Sequence, residues 1–473
     1  MPFGWDRHFL PDGRIVSTVS TFQPRTRRNV ELLLLLFAIA VILLAYLNVG
    51  LATKGEVPVD LVTQGLWMLV FAVSLHLVVR WRAAYADPFM LPIATLLNGM
   101  GIVMIHRLDI ARGSTTPTAP RQVMWAGLSI VTAAVVLFLL RDHRILRRYT
   151  YTTMAAGLVF LLVPLLPVIG SERGGARIWI ELGPFTFQPG EIAKTLLAIF
   201  FAGYLIQARD ALSLAGPEFL GIRFPRARDL GPILLAWGVA VAILAFESDL
   251  GQSLLSFGMF VAMLYVATER TSWIAIGLGL FSSAAVAAYF IFPHLQRRVH
   301  IWLDPWAPQY LDQSYQLRQG LMGLGSGGML GTGLGQGRPD ITPLADSDFI
   351  FASLGEELGL VGAFTILLLY ALFVERGLRT ALGTRDGFGK LLAVGLSFLL
   401  ALQVFTIIGG LLRVVPLTGL TTPFMSAGGS SLLANWTIVA ILLRISDHAR
   451  RPLPDPAELE AAAAAPTSVV NTR

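Results

Sequence analysis

Cysteine is absent from the 473-residue sequence, which excludes disulfides, iron–sulfur clusters, thiolate zinc sites and thiol nucleophiles. Charge is scarce as well. Asp, Glu, Lys and Arg make up 14% of the residues, against about 25% in an ordinary soluble domain, and that deficit excludes a water-soluble globular enzyme. The seven histidines show no HExxH or comparable metal-ligand spacing. A net charge of +6 would point to nucleic acid only if the basic residues clustered. They fall instead in short stretches between apolar runs, a pattern of membrane topology. No convincing internal repeat is present, which argues against a transporter built from inverted halves.

What the sequence does have is apolar length. Hydrophobic residues make up 55%, gathered into twelve segments near the roughly 20 residues that cross a bilayer as helix. They cover about 31–52, 61–80, 88–106, 122–140, 150–170, 191–207, 230–247, 250–268, 272–292, 349–374, 389–412 and 429–445. Helices satisfy every backbone group without water, so the predicted fold is an all-α polytopic membrane protein of about twelve transmembrane helices. Arg25, Arg27 and Arg28 precede a first run that lacks a cleavable signal pattern, so it is expected to remain as a span with the N-terminus cytoplasmic. On this map Lys and Arg in the inner loops outnumber those in the outer loops by roughly two to one, as the positive-inside rule requires. "RDHRILRR" (Arg141 to Arg148) and "RFPRAR" (Arg223 to Arg228) both fall inside.

Two outer loops are not simple linkers. One is 171–190. The other is 293–348, rich in Gly, Trp and Gln, and a loop of that length in a compact protein is usually functional. Arg297 and Arg298 sit there on the side where arginine is disfavoured, and an anionic ligand would supply a reason. "GLGSGGMLGTGLGQG" lacks the lysine and the strand-to-helix setting of a phosphate loop, so its glycines are read as allowing tight turns or close approach. Asp348 begins the tenth span and reads either as a helix cap or as a catalytic carboxylate, with Ser347 and Asp346 as rival caps. Glu356 and Glu357 lie two turns deeper, either lining a cavity or forming a buried pair. Lys194 is a lysine inside a span. With Glu191 three residues before it, Lys194 is either half of an intrahelical ion pair or a cation facing a phosphate. Asp249, in a tight turn, caps a helix or reaches a cavity. The Pro/Gly-interrupted "PLTGLTTPFMSAGGSSLLANW" (Pro416 to Trp436) is tolerated at membrane depth where it lines a cavity.

Five of these stretches occur together in order: "FQPGEIAK", "SDLGQSLL", "YQLRQGLMGLGSGG…GTGLG", "SDFIFASLGEELGLVG" and "PLTGLTTPFMSAGGSSL". They resemble the SEDS family (shape, elongation, division and sporulation), polytopic proteins that polymerise peptidoglycan strands. Within it, the last motif and the sequence after it are most similar to actinobacterial elongation members. The resemblance covers roughly 88–450 and implies a ten-span core. The organisation expected is therefore a cytoplasmic segment 1–30, an appended helix pair 31–87, a membrane core 88–446 and a disordered cytoplasmic tail 447–473.

The resemblance implies lipid II as substrate, a class B penicillin-binding protein as partner and the bacterial plasma membrane as location. It also assigns residues. Asp348 matches the family's essential carboxylate. Lys194 and Glu191 match its "QPxExxK" motif. Asp249 matches the acid of "PDLG", with Ser248 here in place of proline. Trp179 matches the tryptophan of the first outer loop, in a slightly different spacing. Arg298 and Gln316 fall where the large loop carries similar residues, and Ser430 lies in the final motif. The implied chemistry has Asp348 accepting the proton of the attacking sugar hydroxyl while Lys194 and Arg298 stabilise the leaving pyrophosphate. No cofactor is identified. Mg²⁺ or Mn²⁺ is compatible with carboxylates near a pyrophosphate, but the sequence holds no ligand cluster for it. Two other readings compete: a lipid II flippase and a noncatalytic scaffold for a transpeptidase. The outward placement of the polar residues favours the enzyme over the flippase.

Overall fold

The protein, seen here as a computed structural model, is described over residues 7–9, 15–17, 26–166, 169–173, 176–183, 185–213, 218–219, 222–223, 238 and 250–452. Among the described residues, ten helices are long and apolar enough to cross a membrane. They are α1 (Arg28–Lys54), α2 (Leu61–Arg82), α3 (Met90–Arg112), α4 (Thr118–Leu139), α6 (Pro189–Ser213), α7 (Leu250–Thr268), α8 (Ser272–Ile291), α11 (Ile350–Gly383), α12 (Gly387–Leu411) and α13 (Gly429–Arg450). Of the twelve expected spans, 230–247 lies outside the described residues but for residue 238. The expected span 150–170 is a shorter helix, α5 (Thr150–Leu162), that passes through a 3₁₀ turn (Val163–Leu165) holding Pro164. Proline has no N–H to continue the ladder.

Both long loops are structured. Residues 170–187 form a three-stranded antiparallel sheet, β1 (Gly170–Arg173), β2 (Ala176–Leu182) and β3 (Phe185–Phe187), with Ile180 opposite Phe187 and Glu181 opposite Thr186. The all-α expectation missed this element because its aromatic and β-branched residues occupy strands too short to show a period. The 293–348 loop holds helices α9 (Pro293–Leu303) and α10 (Tyr315–Gly327).

At the opposite end of the bundle the start of α1 and the end of α13 are both tied to the connection between α2 and α3. Arg28 hydrogen-bonds the Ala86 carbonyl, and Arg450 bonds the Asp87 carboxylate. Arg444 donates to the carbonyls of Arg82 and Leu137, each at 2.5 Å. The pair α1–α2 is not loosely appended. Buried Glu31 accepts from Arg28 at 2.5 Å and lies 2.7 Å from His76 Nδ1, while Ile42 fills the space a side chain at Gly99 of α3 would take. In lipid, helices associate through such close packing and polar contacts rather than through exclusion of water.

Two irregular stretches shape the end that bears the sheet. Helix α11 is broken at Gly359 (φ 69°, ψ −171°), where a continuous helix was expected. The broken turn pairs with the glycine-rich segment. Thr332 and Gly333 N–H bond the carbonyls of Glu356 and Glu357, and Leu360 and Val361 N–H bond those of Gly328 and Met329, all at 2.9–3.1 Å. A Cβ on Gly331 would lie 2.2 Å from the Glu357 carbonyl oxygen, and one on Gly359 would lie 2.2 Å from Gly331 N. These glycines are there for backbone approach, as expected. Glu357 resolves as a buried pair, accepting from Arg107 Nε at 2.9 Å and Gly335 N–H at 2.8 Å, while Glu356 is held by a backbone donor, the Arg338 N–H at 2.6 Å.

The second stretch, 412–428, re-enters the bundle between α12 and α13, and its polar backbone is met by side chains from four helices. Asn98 Nδ2 donates to the Phe424 carbonyl, Gln122 Nε2 to Ser426, Gln403 Nε2 to Thr421, and Tyr370 to Pro423. Gly101 permits the approach, since a Cβ there would sit 2.3 Å from the Met425 oxygen. Removing one partner of a buried ion pair costs about 3–5 kcal/mol. Glu357→Ala, which strands Arg107 and the Gly335 N–H, is therefore expected to lower the thermal unfolding temperature of the detergent-solubilised protein sharply. A value equal to that of the parent protein would refute the pairing.

Candidate active site

The sheet, α9, α10, the turn before α11 and the re-entrant segment enclose a cavity of about 630 Å³. Trp179 of β2, Arg298 and Trp302 of α9, Gln316 of α10, Asp348 of the turn, and Thr418 and Thr421 of the re-entrant segment all line it. The sequence places these residues far apart. Of the eight expected site residues, Asp348, Arg298, Trp179 and Gln316 converge here.

Asp348 is not a helix cap. Helix α11 starts at Ile350 with Phe349 at its N-cap and no side-chain cap bond. The turn is held by Phe349 N–H to the Leu344 carbonyl at 3.2 Å and by Ser353 Oγ to the Ala345 carbonyl at 3.1 Å. It is docked to the re-entrant segment by Ala427 N–H to the Asp346 carbonyl and Ser426 Oγ to the Ser347 carbonyl. The Asp346 side chain faces another way, 3.1 Å from Arg112. Freed from capping, the Asp348 carboxyl looks toward Gly419, whose φ of 73° and missing side chain leave room for it. Burial pushes the Asp348 carboxyl up to about 6, helped by the charge of Asp346, while the Ser347 hydroxyl and Arg298 pull the other way. A carboxyl titrating there is basic enough to take a proton yet ionised near neutrality.

Gln316 offers the cavity an unspent donor, for its Nε2 is buried without a hydrogen-bond partner. Arg298 is held in place through its helix. Arg413 clamps the C-terminal end of α9, donating to the carbonyls of Trp302 at 3.1 Å and Leu303 at 2.6 Å and accepting from Trp302 Nε1 at 2.9 Å. Its own backbone is left-handed, with φ of 59°.

Lys194, Glu191 and Ser430 do not line the cavity. Lys194 is 1% exposed, donating to Glu191 at 2.7 Å and to Gln403 Oε1 at 2.9 Å. Gln252 donates to the other Glu191 oxygen at 2.8 Å. Because Gln403 also donates to the Thr421 carbonyl at 2.8 Å, the ion pair sits one layer behind the wall and is joined to it through Gln403. Ser430 is buried in the first turn of α13, and Asp249 lies outside the described residues. Sequence reasoning missed Trp302, Arg413 and Gln403. The signal available was a lone amide, Gln403, in the apolar run "LLALQVF", and an arginine at the end of α12 on the side that disfavours it.

The chain can be compared with known proteins. A family model described as cell cycle protein, covering FtsW, RodA and SpoVE, matches residues 88–451. The peptidoglycan glycosyltransferase RodA of Mycobacterium tuberculosis is 50% identical over 433 residues, 90% of this chain and 92% of that one. Among solved structures, a chain of a peptidoglycan synthase complex, described for the coordination of polymerization and crosslinking, is 28% identical with a TM-score of 0.61, covering 76% of this chain and 97% of that one. The rod shape determining protein RodA of Thermus thermophilus is 26% identical with a TM-score of 0.56, covering 78% and 98%.

The raised value at Asp348 makes its ionisation costly to the folded state. Stability is expected to fall as pH rises between the ordinary value of 3.8 and about 6. Asp348→Asn should remove that fall and be the more stable protein above pH 6, with the two converging near pH 4. Parallel pH slopes in thermal unfolding would refute the burial of this carboxyl.

Proposed function

Because this chain belongs to the SEDS family, the FtsW/RodA/SpoVE group of multi-pass membrane proteins, we propose that the Asp348 cavity is the polymerising centre of a peptidoglycan glycosyltransferase. The observation that carries the reading is the convergence of Asp348, Arg298 and the unpartnered Gln316 Nε2 on one cavity. A base, a cation and a free donor are what joining two lipid-linked sugars requires.

In the proposed reaction two lipid II molecules meet at the cavity. The 4-hydroxyl of the acceptor's terminal GlcNAc attacks the anomeric carbon of the donor. Its proton passes to the Asp348 carboxylate, the new C–O bond forms as the bond to phosphate breaks, and undecaprenyl pyrophosphate departs with the electron pair. A single displacement inverts the anomeric centre and needs no second carboxylate as nucleophile. Arg298 stabilises the charge developing on the pyrophosphate, Gln316 donates to a sugar or phosphate oxygen, and Trp179 offers an apolar face. Lys194 and Glu191 act from behind the wall, orienting Gln403 and through it the Thr421 edge of the cavity. Ser430, next to the Ser431 that meets Thr421, is a supporting residue.

The cavity end of the bundle faces outward and the end holding Arg28 and Arg450 faces the cytoplasm, with both termini there. Helices α1 and α2 are an addition to a core that begins near residue 88. A class B penicillin-binding protein is the natural partner, because the strands made here need crosslinking.

Purified protein with lipid II, alone and with its transpeptidase, is expected to make glycan strands resolvable on a gel. Asp348→Asn should lower the rate by about 10²–10⁴-fold, the usual worth of a positioned base, with insertion kept and an unfolding temperature no lower than that of the parent protein. Gln316→Ala should raise the lipid II concentration needed by roughly tenfold, the worth of a hydrogen bond to a charged group. The rate should fall on the acid side with a midpoint near pH 6, as Asp348 takes up its proton. Polymer made by Asp348→Asn at the native rate would overturn the base. Lipid II translocation without polymer would favour a flippase, and no polymer from either preparation a scaffold.

A further inference from the structure

One cluster of ligand-type side chains plays no part in the chemistry above. At the end of the bundle opposite Asp348, the connection after α4 carries Asp142 and His143, and the last turn of α13 carries His448. His143 is fully buried. Its Nε2 lies 2.8 Å from Asp386 Oδ2. A carboxylate oxygen accepts there, so Nε2 carries a proton, and in the neutral imidazole Nδ1 keeps the lone pair. That Nδ1 is buried and has no hydrogen-bond partner. A lone pair in this state is a liability to the fold unless a positive centre meets it.

The neighbours of Nδ1 are the right kind. Asp142 Oδ1 lies 3.7 Å from His143 Nδ1 and 3.5 Å from His448 Nδ1, and the three atoms are all within 4.8 Å of one another. Ligands about 2.0–2.1 Å from one tetrahedral ion stand about 3.4 Å apart, so small side-chain shifts bring all three onto one centre. Asp142 Oδ1 also accepts from the Arg144 N–H at 2.9 Å, which fixes its direction. The nearby guanidiniums are turned to other acids: Arg144 lies 3.6 Å from Asp386, and Arg451 lies 2.8 Å from Asp447. Beside His448 and Asp386 opens a cavity of about 210 Å³, lined also by Arg144, Arg385 and Arg451. Two imidazoles and one carboxylate suit a borderline transition ion better than Mg²⁺ or Ca²⁺, which prefer oxygen alone. Asp386 bonded to the far nitrogen of His143 is the outer partner that a metal-ligating histidine ordinarily has.

We propose that Asp142, His143 and His448 bind a divalent transition-metal ion of the Zn²⁺ type, oriented by Asp386 and tying the α4–α5 connection to the end of the last helix. No histidine spacing announced it, since His143 and His448 are brought together only by the packing of α13 against the α4 end.

The test uses the full chain, purified without a polyhistidine tag, stripped with EDTA and titrated with Co²⁺ and then Zn²⁺. One Co²⁺ per chain is expected, with the visible absorption of four-coordinate nitrogen and oxygen ligation, displaced by Zn²⁺, and Zn²⁺ should raise the unfolding temperature. His448→Ala and Asp142→Asn, both at partly exposed positions, should each weaken Zn²⁺ binding at least tenfold and abolish the Co²⁺ spectrum. Asp386→Asn preserves a capping residue for α12 and should weaken binding by about 10–100-fold, the usual cost of losing an outer partner. Absence of saturable one-to-one binding in the parent protein would overturn the proposal, as would binding undiminished in both Asp142→Asn and His448→Ala. Stability that responds to pH but not to Zn²⁺ would also overturn it, marking the cluster as a proton site. The metal readouts do not depend on glycan polymerisation, so this proposal and the polymerase assignment fail separately.

Discussion

The re-entry of residues 412–428 is the constraint on which the rest of the cavity end depends. An irregular backbone in a membrane-embedded bundle is stable only if its carbonyl and amide groups find partners inside the protein. Here the partners are side-chain amides and a phenol from four helices, Asn98, Gln122, Gln403 and Tyr370. Each comes from a different span, so each ties the rotation of its helix to the loop. The turn bearing Asp348 docks on this segment through Ala427 and Ser426, so the position of the proposed base follows from the same contacts.

A second interrupted element works alongside it. The break in α11 at Gly359 and the glycine-rich strand at 328–337 satisfy each other's backbone, and the two glutamates just before the break hold the strand down. The acids that look expensive inside an apolar run are thus structural, while the acid at the membrane edge is left in a cavity, where burial makes it hold its proton more tightly than a free carboxyl does. One short stretch of sequence separates into a scaffold and a reactive group because a peptide turn at Phe349 takes the capping position away from Asp348.

Lys194 illustrates a different division. Its motif marks it as important, and its burial against Glu191 and Gln403 places its charge behind the wall. A direct contact with a leaving pyrophosphate would require that network to open. An indirect one, through Gln403 and Thr421, requires only that it stay closed. The tertiary packing therefore shifts this lysine from contact toward positioning, while Arg298, clamped through α9 by Arg413, is the cation on the cavity itself.

Much was legible in the chain. Low charge and long apolar runs determined a polytopic helical membrane protein, because hydropathy and span length are local properties. The ordered motifs determined the family, and with it the expectation for Asp348, Arg298, Trp179 and Gln316, which the structure brings to one cavity. What the sequence did not carry was anything set by the distance between segments. The short sheet, the break at Gly359, the bonding of Glu356 and Glu357, the retreat of Lys194 behind the wall and the meeting of His143 with His448 were decided only by the tertiary structure. Each depends on backbone groups and side chains from separate spans finding one another where no water is available to satisfy them.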